Sequence, residues 1–361
     1  MSPSLTVEPK HLIVARSSNP WQGPEPGTVD WKRELAQAHT DVRSLLTALG
    51  LETDQVPDLD VQPDDFRLLV PRGFAALMTR GDPADPLLRQ VLPLGVERTP
   101  ALGFVADPVG DGPATLAPGL IQKYHGRALL MVHGACAIHC RYCFRRHFPY
   151  SAMGHQRPRL EAAIGLIAAD TTVSEVVLSG GDPLMLDDPA LAALLHRLQA
   201  IGHLRRIRLH SRLPVVLPER VTGALCAHLG ALRLDTALVV HANHPSELLG
   251  DACAAAIARL RGAGVMLLNQ SVLLAGVNDR TDTLASLSER LFALGVLPYY
   301  LHQLDLVHGA AHFAVSDERA LALEAELRAR LPGYLVPRLV REVPGDSAKR
   351  PLSTQPQACE T

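Results

Sequence analysis

Short apolar runs alternate with amphipathic stretches from about residue 128 onward. Six runs are rich in apolar and β-branched residues, namely ALLMV, EVVLS, RIRLH, ALVVHA, VMLLNQSVLL and LPYYLHQL. Stretches with apolar residues at three- and four-residue spacing separate them, such as RLEAAIGLIAA and LAALLHRLQAIG. Because a parallel strand is reached only through a crossover, usually a helix, this alternation predicts a parallel sheet covered by helices.

The residues that follow these runs favour a barrel over an open sheet. Polar clusters stand at the carboxyl end of every run: the cysteine-rich loop at 136–143, then 179–182, 210–212, 241–244, 269–271 and 302–305. Barrel enzymes collect their chemistry from several loops at that face, whereas an open sheet draws mainly on two loops. We therefore predict an α/β fold with a partial (β/α)6 barrel of the TIM type at residues 126–333.

The flanking segments have other patterns. Residues 1–105 contain the helix-like stretches WKRELAQAHTDVRSLLTALGL and DDFRLLVPRGFAALMTRG, which predict a helical N-terminal region. Residues 106–125 are rich in proline and glycine and predict a linker or an extended wrap. Residues 334–361 are predicted to form a short C-terminal closing segment.

Composition excludes several classes of protein. Apolar residues make up 47% of the chain and charged residues 20%, which argues against disorder and fibrous structures. The 35 basic and 37 acidic side chains give a net charge of −2, so no general attraction to nucleic acid or to an anionic membrane is expected. No run of 18 apolar residues and no signal-peptide pattern is present, so we expect a cytoplasmic protein without a membrane partner.

Three of the six cysteines share one loop. Cys136, Cys140 and Cys143 have the spacing C-x3-C-x2-C directly after the first run, whereas the other three are scattered. Three thiolates can hold three irons of a [4Fe-4S] cube and leave the fourth iron open to a ligand. The alternative is a zinc site completed by His139 or His147.

The cysteine spacing, followed by aromatic and basic residues, resembles the radical S-adenosylmethionine superfamily. The string KYHGRALLMVHGACAIHCRYCFRRHFPY, with SGGDPL, HSRLPVVLPERV, HANHPSEL, NQSVLLAGVND, HQLDLVHGAAHF and VPGDSAKRPL in order, resembles the lysine 2,3-aminomutase family. The likeness spans about residues 120–352. It is strongest to the short bacterial branch that makes (R)-β-lysine for the modification of elongation factor P.

The resemblance implies three cofactors and the residues that bind them. Cys136, Cys140 and Cys143 would ligate the cluster, and Lys349 would bind pyridoxal phosphate covalently as a catalytic residue. The residues that would contact S-adenosylmethionine or pyridoxal phosphate are Lys123, Tyr124, Arg127, Gly180, Gly181, Asp182, Ser211, Arg212, His241 and Gln270. By local pattern alone, SGGDP could be an ordinary turn in which Asp182 caps the next helix, and Lys349 could be a surface charge.

The resemblance also implies the substrate and the reaction. Arg145 would pair with the carboxylate of free L-lysine, and Asp305, with Glu342 at the position of a second acid, would hold the side-chain ammonium. Cleavage of S-adenosylmethionine would start a radical migration of nitrogen from C2 to C3. An external donor such as flavodoxin or ferredoxin would supply the electron, and the product would pass to an elongation factor P ligase.

Two other interpretations remain open at the level of sequence. One is an aminomutase that acts on another amino acid or on a protein-bound lysine. The other is a zinc-stabilised RNA-binding protein built on CAIHCRYCFRRH, in which Arg141, Arg145, Arg146 and His147 form a basic patch.

Overall fold

The fold centres on a single ten-stranded sheet. The structure, a computed structural model, describes residues 30–63 and 66–352. In the sheet the strands lie side by side in chain order. They are β1 (Thr115–Ala117), β2 (Leu120–Ile121), β3 (Arg127–His133), β4 (Glu175–Gly180), β5 (Arg206–Ser211), β6 (Asp235–Val240), β7 (Met266–Val272), β8 (Leu297–His302), β9 (Arg338–Arg341) and β10 (Arg350–Pro351).

The central strands confirm the predicted partial barrel. β3 to β8 coincide with the six apolar runs, and each pairs in parallel with the next. β9 adds a seventh parallel strand, with Leu301 opposite Leu339, and β10 returns antiparallel to β9. The sheet does not close on itself. The sequence does not predict β9, because the four residues RLVR are too few to show the alternation typical of a strand.

Helices cover the outer face of the sheet. The longer ones are α5 (Gln156–Ala169), α6 (Asp188–Gln199), α8 (Gly223–Gly230), α9 (Asp251–Gly262), α10 (Thr281–Ala293) and α11 (Asp317–Arg330), with the single turn α7 (Leu213–Val216) before α8. In α6, Asp187 caps the first turn by accepting from Ala190 N, and Leu191, Leu194, Leu195 and Leu198 are buried at helical spacing. Among residues 30–63 and 66–352, no helix is long and apolar enough to cross a bilayer.

The N-terminal region is less helical than its pattern predicts. It contains the short helices α1 (Trp31–Ala36), α2 (Val42–Leu49), α3 (Arg72–Ala75) and α4 (Pro86–Arg89). The stretch 31–51 forms α1 and α2, but the second predicted stretch forms only α3, because Pro71 fixes its start and tertiary packing decides the rest. Trp31, Leu45 and Phe74 join the same hydrophobic core as the barrel helices. The part of the predicted region before residue 30 lies outside the described residues.

The Pro/Gly-rich stretch 106–125 also contributes to the sheet. It contains β1 and β2, an antiparallel hairpin whose second strand pairs antiparallel with β3. Gly119 turns the hairpin at φ +79°, and a Cβ there would lie 2.1 Å from Nη1 of Arg159. That guanidinium donates to the carbonyls of Met131 and Val132. The stretch predicted as a linker or wrap thus forms one edge of the sheet.

Candidate active site

The three clustered cysteines lie in an irregular loop after β3. Other segments satisfy the loop backbone: His139 N donates to Leu69 O at 3.0 Å, and Arg141 N donates to Gln90 O at 2.8 Å. Both acceptors come from the N-terminal region. A loop of this length without regular structure is held in shape only if such external partners exist. The N-terminal region therefore shapes the cysteine loop.

The thiols of this loop influence one another. Burial raises the pKa of Cys136, and the Cys143 thiol, the Asp182 carboxyl and the Cys140 thiol raise it further. Burial and the Cys140 thiol raise the pKa of Cys143 to about 11. A bound metal lowers the pKa of a thiol that coordinates it, so cluster binding would offset the effect of burial. The three thiols of the loop supply the ligands that a [4Fe-4S] cluster with one open iron requires.

Two histidines lie in or beside the cysteine loop, and each has one ring nitrogen in a polar contact and one remaining. His139 Nδ1 lies 2.7 Å from Arg67 O with its ring stacked on Phe66, and His147 Nε2 lies 3.2 Å from His308 O. The choice between a cluster and a zinc ion therefore rests on the comparison with known proteins given below.

Gly180 and Gly181 permit close packing against the cysteine loop. Gly180 has φ +124°, and a Cβ there would lie 2.4 Å from His133 O. A Cβ on Gly181 would lie 2.3 Å from Ala135 O. Gly181 N and Asp182 N donate to those two carbonyls at 2.8 and 2.9 Å. The glycines thus bring the end of β4 against the cysteine loop.

Asp182 is already saturated with internal partners. Its carboxylate accepts from Leu184 N at 2.9 Å, from Ser211 Oγ at 2.9 Å and from Arg212 N at 2.8 Å. Burial raises the pKa of Asp182 to about 6 in spite of these donors. The capping role that the local pattern offered is therefore present, and Asp182 also ties β4 to β5.

Arg212 joins the cysteine loop to a buried polar network. Its Nη1 donates to Tyr142 OH and to Cys140 Sγ, both at 2.7 Å. Its Nη2 donates to Gln90 Oε1 at 2.8 Å and to Glu247 Oε2 at 3.0 Å. Glu247 is fully buried, so the pair is shielded from solvent.

Of two further residues in the expected cofactor set, His241 lies beside this network and Gln270 lies beside His210. His241 Nε2 lies 3.4 Å from Tyr142 OH, and burial, followed by the charge of Arg212, lowers the pKa of His241 to about 3. His241 is therefore neutral. Gln270 Nε2 lies 3.5 Å from Nδ1 of His210. The carboxyl ends of β5, β6 and β7 bring these side chains to one end of the sheet.

The three arginines of the basic patch, Arg141, Arg145 and Arg146, are buried and paired, which is contrary to the RNA-binding interpretation, and only His147 of that patch is exposed. Arg141 Nε donates to Glu97 Oε1 at 2.8 Å, and Arg146 Nη2 donates to Glu97 Oε2 at 2.8 Å. The side chains of Arg141, Arg145 and Arg146 are 3%, 9% and 6% exposed. A nucleic-acid site needs cations at the surface to reach phosphates.

Lys349 and Glu342 form the centre of a second charged cluster. Lys349 Nζ lies 2.5 Å from Glu342 Oε2, and Tyr124 OH donates to Glu342 Oε1 at 2.7 Å. The Arg127 guanidinium stacks 4.9 Å from the centre of the Tyr124 ring. Sequence reasoning expected Glu342 in the ammonium pocket beside Asp305. In the structure it binds Lys349 and Tyr124.

Asp111 links this cluster to Arg145. Asp111 Oδ2 accepts from Arg145 Nε at 2.7 Å, and Oδ1 forms an ion pair with Lys123 Nζ at 2.7 Å. Lys123 Nζ also lies 3.5 Å from Glu342 Oε1. Arg145 Nη1 donates to Ser179 Oγ at 3.1 Å. Asp111 and Arg145 line a cleft of about 660 Å³ between residues 106–119 and 144–153.

The Asp305 carboxyl stands at the same end of the barrel without a hydrogen-bonding partner among the described residues. Burial raises the pKa of this carboxyl to about 7; the charges of Lys349 and Lys123 oppose the rise, and those of Glu342 and Asp111 add to it. A carboxyl in this setting gains strongly from a bound cation.

Sequence reasoning missed the acids and amides that hold the expected site residues. These are Gln90, Glu97, Asp111 and Glu247. Each contacts an arginine of the site or of the cysteine loop that is distant in the chain, and no local pattern marks it. Of these four residues, only Asp111 lies in a recognisable motif, since GDGP at 110–113 is typical of a turn.

Comparison with known proteins matches these features. Residues 125–210 match the family model "4Fe-4S single cluster domain", and this range contains the three cysteines. The chain is 47% identical over 331 residues to the L-lysine 2,3-aminomutase of Escherichia coli, covering 91% of this chain and 96% of that protein. It is 44% identical to the L-lysine 2,3-aminomutase of Haemophilus influenzae, covering 89% and 94%. A radical SAM methyltransferase structure from Sphaerobacter thermophilus aligns with a TM-score of 0.43 and 20% identity over 62% of this chain and 68% of that one.

The partial barrel and its cysteine loop define the class of protein. It is an iron–sulfur enzyme of the radical S-adenosylmethionine type, as the sequence predicted. The chain belongs to the L-lysine 2,3-aminomutase family and is therefore an isomerase.

Proposed function

We propose that the protein converts free L-lysine to β-lysine, using a [4Fe-4S] cluster, S-adenosylmethionine and pyridoxal phosphate. The observation that carries this proposal is the set of charged groups at one end of the barrel. Arg145 offers a cation for a carboxylate, Asp305 offers an acid for an ammonium, and Lys349 offers an amine. Lysine carries the complementary groups.

The cofactors would be held by the residues named from sequence. Cys136, Cys140 and Cys143 fit the cluster because they share one loop, and Arg212 donates to the Cys140 sulfur. Ser211, Arg212, His241 and Gln270, with the 180–182 turn, would bind S-adenosylmethionine through groups at the ends of β4 to β7. When bound, the cluster supplies one electron and pyridoxal phosphate an electron sink. Lys349 would carry pyridoxal phosphate, with Lys123, Tyr124 and Arg127 beside it.

The residues of the chain orient the substrate and do not react with it. Arg145 would fix the α-carboxylate, and Asp305 would fix the side-chain ammonium. These two contacts at opposite ends of the substrate hold C2 and C3 in one position. Such positioning lowers the activation barrier because the entropy of orienting the substrate is lost on binding and not during the reaction. A lysine inside a protein chain has no free carboxylate, so buried Arg145 favours free lysine over a protein-bound residue.

A panel of substrates tests the activity. Anaerobic protein with dithionite, S-adenosylmethionine and pyridoxal phosphate is incubated with L-lysine, L-glutamate, L-alanine or a peptide with an internal lysine. We expect a β-amino acid from L-lysine alone, detected by chromatography and mass spectrometry. Turnover of a neutral amino acid or of the peptide in preference to lysine would instead support the alternative substrates.

Borohydride reduction tests the assignment of Lys349. Reduction of the protein loaded with pyridoxal phosphate, followed by peptide mass analysis, should place the label on Lys349. Lys123 provides an internal comparison because it also lies beside Glu342. Recovery of the label on Lys123 would contradict the assignment. A Lys349→Ala variant should keep its iron, since Lys349 contacts no cysteine.

The biological setting is a further part of the proposal. The resemblance of the motifs to the short bacterial branch of the family supports a role in supplying β-lysine for elongation factor P. We place this role in the cytoplasm, with flavodoxin or ferredoxin as the electron donor and an elongation factor P ligase as the consumer. The mass of elongation factor P, incubated with ligase, ATP and the product, tests the link.

A further inference from the structure

Asp111 is the most constrained acid in the charged cluster, and sequence reasoning gave it no role. It is 1% exposed and lies between two cations, with Arg145 Nε and Lys123 Nζ each 2.7 Å from one of its oxygens. Burial alone would raise the pKa of Asp111, but the charges of Arg145 and Lys123 lower it below the ordinary value. Asp111 is therefore an anion in the folded protein.

Hydrogen bonds fix the backbone of Asp111 through both its N–H and its carbonyl group. Asp107 accepts from Asp111 N and Gly112 N, both at 2.9 Å, and Thr115 Oγ1 donates to Asp111 O at 2.7 Å. Gly110 adopts φ +66°, where a Cβ would lie 3.1 Å from Cβ of Pro344. The loop is thus packed against the C-terminal segment, and the position of the Asp111 carboxylate is fixed.

The contacts of Arg145 leave one part of the guanidinium available. Its Nε donates to Asp111, and its Nη1 donates to Ser179 Oγ at 3.1 Å. The centre of the Phe144 ring lies 4.7 Å from Cζ. Nη2 has no hydrogen bond among the described residues, and the side chain borders the cleft above it. A carboxylate can be bound by the Nη1 and Nη2 hydrogens together only if the guanidinium is held in this orientation.

We propose that Asp111 is a positioning residue that orients Arg145, so that its Nη edge selects a substrate with a free α-carboxylate. The inference rests on the proposed function, since it deepens the role of Arg145 there. Asp111 touches neither the reacting atoms nor the substrate in this arrangement. It acts through the Nε contact, which a neutral amide at the same position holds less firmly.

The test compares two ligands that differ only in the carboxylate. L-lysine and 1,5-diaminopentane are titrated calorimetrically into anaerobic protein loaded with cluster and pyridoxal phosphate, without S-adenosylmethionine or reductant. We expect the wild type to prefer L-lysine. The Asp111→Asn variant should lose roughly tenfold or more of that preference, the range expected for a charge-assisted hydrogen bond, while its affinity for 1,5-diaminopentane changes little. In an Arg145→Gln background, adding Asp111→Asn should cause little further loss, because Asp111 acts only through Arg145.

Asp235→Asn is the charge control. It removes one negative charge at an exposed position, the first residue of β6, and among the described residues Asp235 forms no side-chain contact with Arg145 or Asp111. It should keep the wild-type preference for L-lysine. If both variants lose the preference equally, the loss does not come from the Asp111 carboxylate, and the inference is wrong. If Asp111→Asn keeps the preference, the inference also fails. A wild type that does not prefer L-lysine would instead overturn the proposed function itself.

Discussion

Replacing Asp305 with asparagine tests the electrostatics of the expected ammonium pocket. Burial raises the pKa of this carboxyl from 3.8 to about 7. The folded chain therefore holds the Asp305 proton more tightly than the unfolded chain does. Above pH 4, ionisation favours the unfolded chain, and this penalty grows until the pH passes the folded-state pKa. The Asp305→Asn variant lacks the ionisable group and so escapes the penalty.

The magnitude follows from the shift. Raising the pKa of this carboxyl from 3.8 to about 7 corresponds to about 4 kcal/mol at pH 8. At pH 5 the folded carboxyl is protonated and the unfolded one is mostly ionised, so the penalty is about 2 kcal/mol. Asp305→Asn should therefore stabilise the ligand-free protein at both pH values. The gain should be about 2 to 3 kcal/mol larger at pH 8 than at pH 5.

Urea unfolding of the cluster-free protein measures this difference. Wild type and variant are compared at pH 5, 6, 7 and 8, with exposed Asp235→Asn as a control whose effect should not follow this pH profile. A free energy difference that is constant with pH, or an Asp305→Asn variant less stable than the wild type at pH 8, would refute the reasoning. The same substitution should have an unfavourable effect on substrate binding. Asp305→Asn should weaken the binding of lysine to the loaded enzyme, because the substrate ammonium then lacks its counter-charge.

Three further predictions concern the cysteine loop and its supports. Cys140→Ala should lose bound iron, whereas Cys253→Ala, at a buried helical position outside the loop, should keep it; iron and sulfide assays on anaerobic protein decide. Gly181→Ala places a Cβ 2.3 Å from Ala135 O, so we expect about 1 to 3 kcal/mol of destabilisation and weaker iron retention, measured by urea unfolding and iron content. Glu247→Gln leaves buried Arg212 without its counter-charge and should cost about 3 to 5 kcal/mol, whereas exposed Glu318→Gln should be nearly neutral; equal effects of the two would contradict the role of the network.

The parts of the fold that sequence predicts are those whose cause is local. β4 is five buried residues after one intermediate one, so its apolar run is continuous and visible. The cysteine loop is equally visible because its three thiols lie within eight positions. The hairpin of β1 and β2 was not visible, since strands of three and two residues show no period.

The supports of the site could not be predicted because their contacts are remote in sequence. Asp111 is 34 residues from Arg145, Glu97 is 44 from Arg141, and Gln90 is 122 from Arg212. Pairing at such separations depends on how the N-terminal region and the hairpin pack on the barrel. The glycines of the 180–182 turn show a related limit. Gly180 and Gly181 are visible in the sequence, but the close approach that they permit in the structure is to the cysteine loop.

Nitrogen labelling tests the central claim most directly. L-lysine labelled with ¹⁵N only at the α-amino group is incubated anaerobically with the cluster-loaded protein, S-adenosylmethionine, pyridoxal phosphate and dithionite. The proposed function predicts β-lysine with the ¹⁵N bound to C3, identified by NMR and mass spectrometry, and no product from the Cys140→Ala variant. Recovery of lysine with the label still on C2 and no isomer formed, or loss of the label from the product, would contradict it.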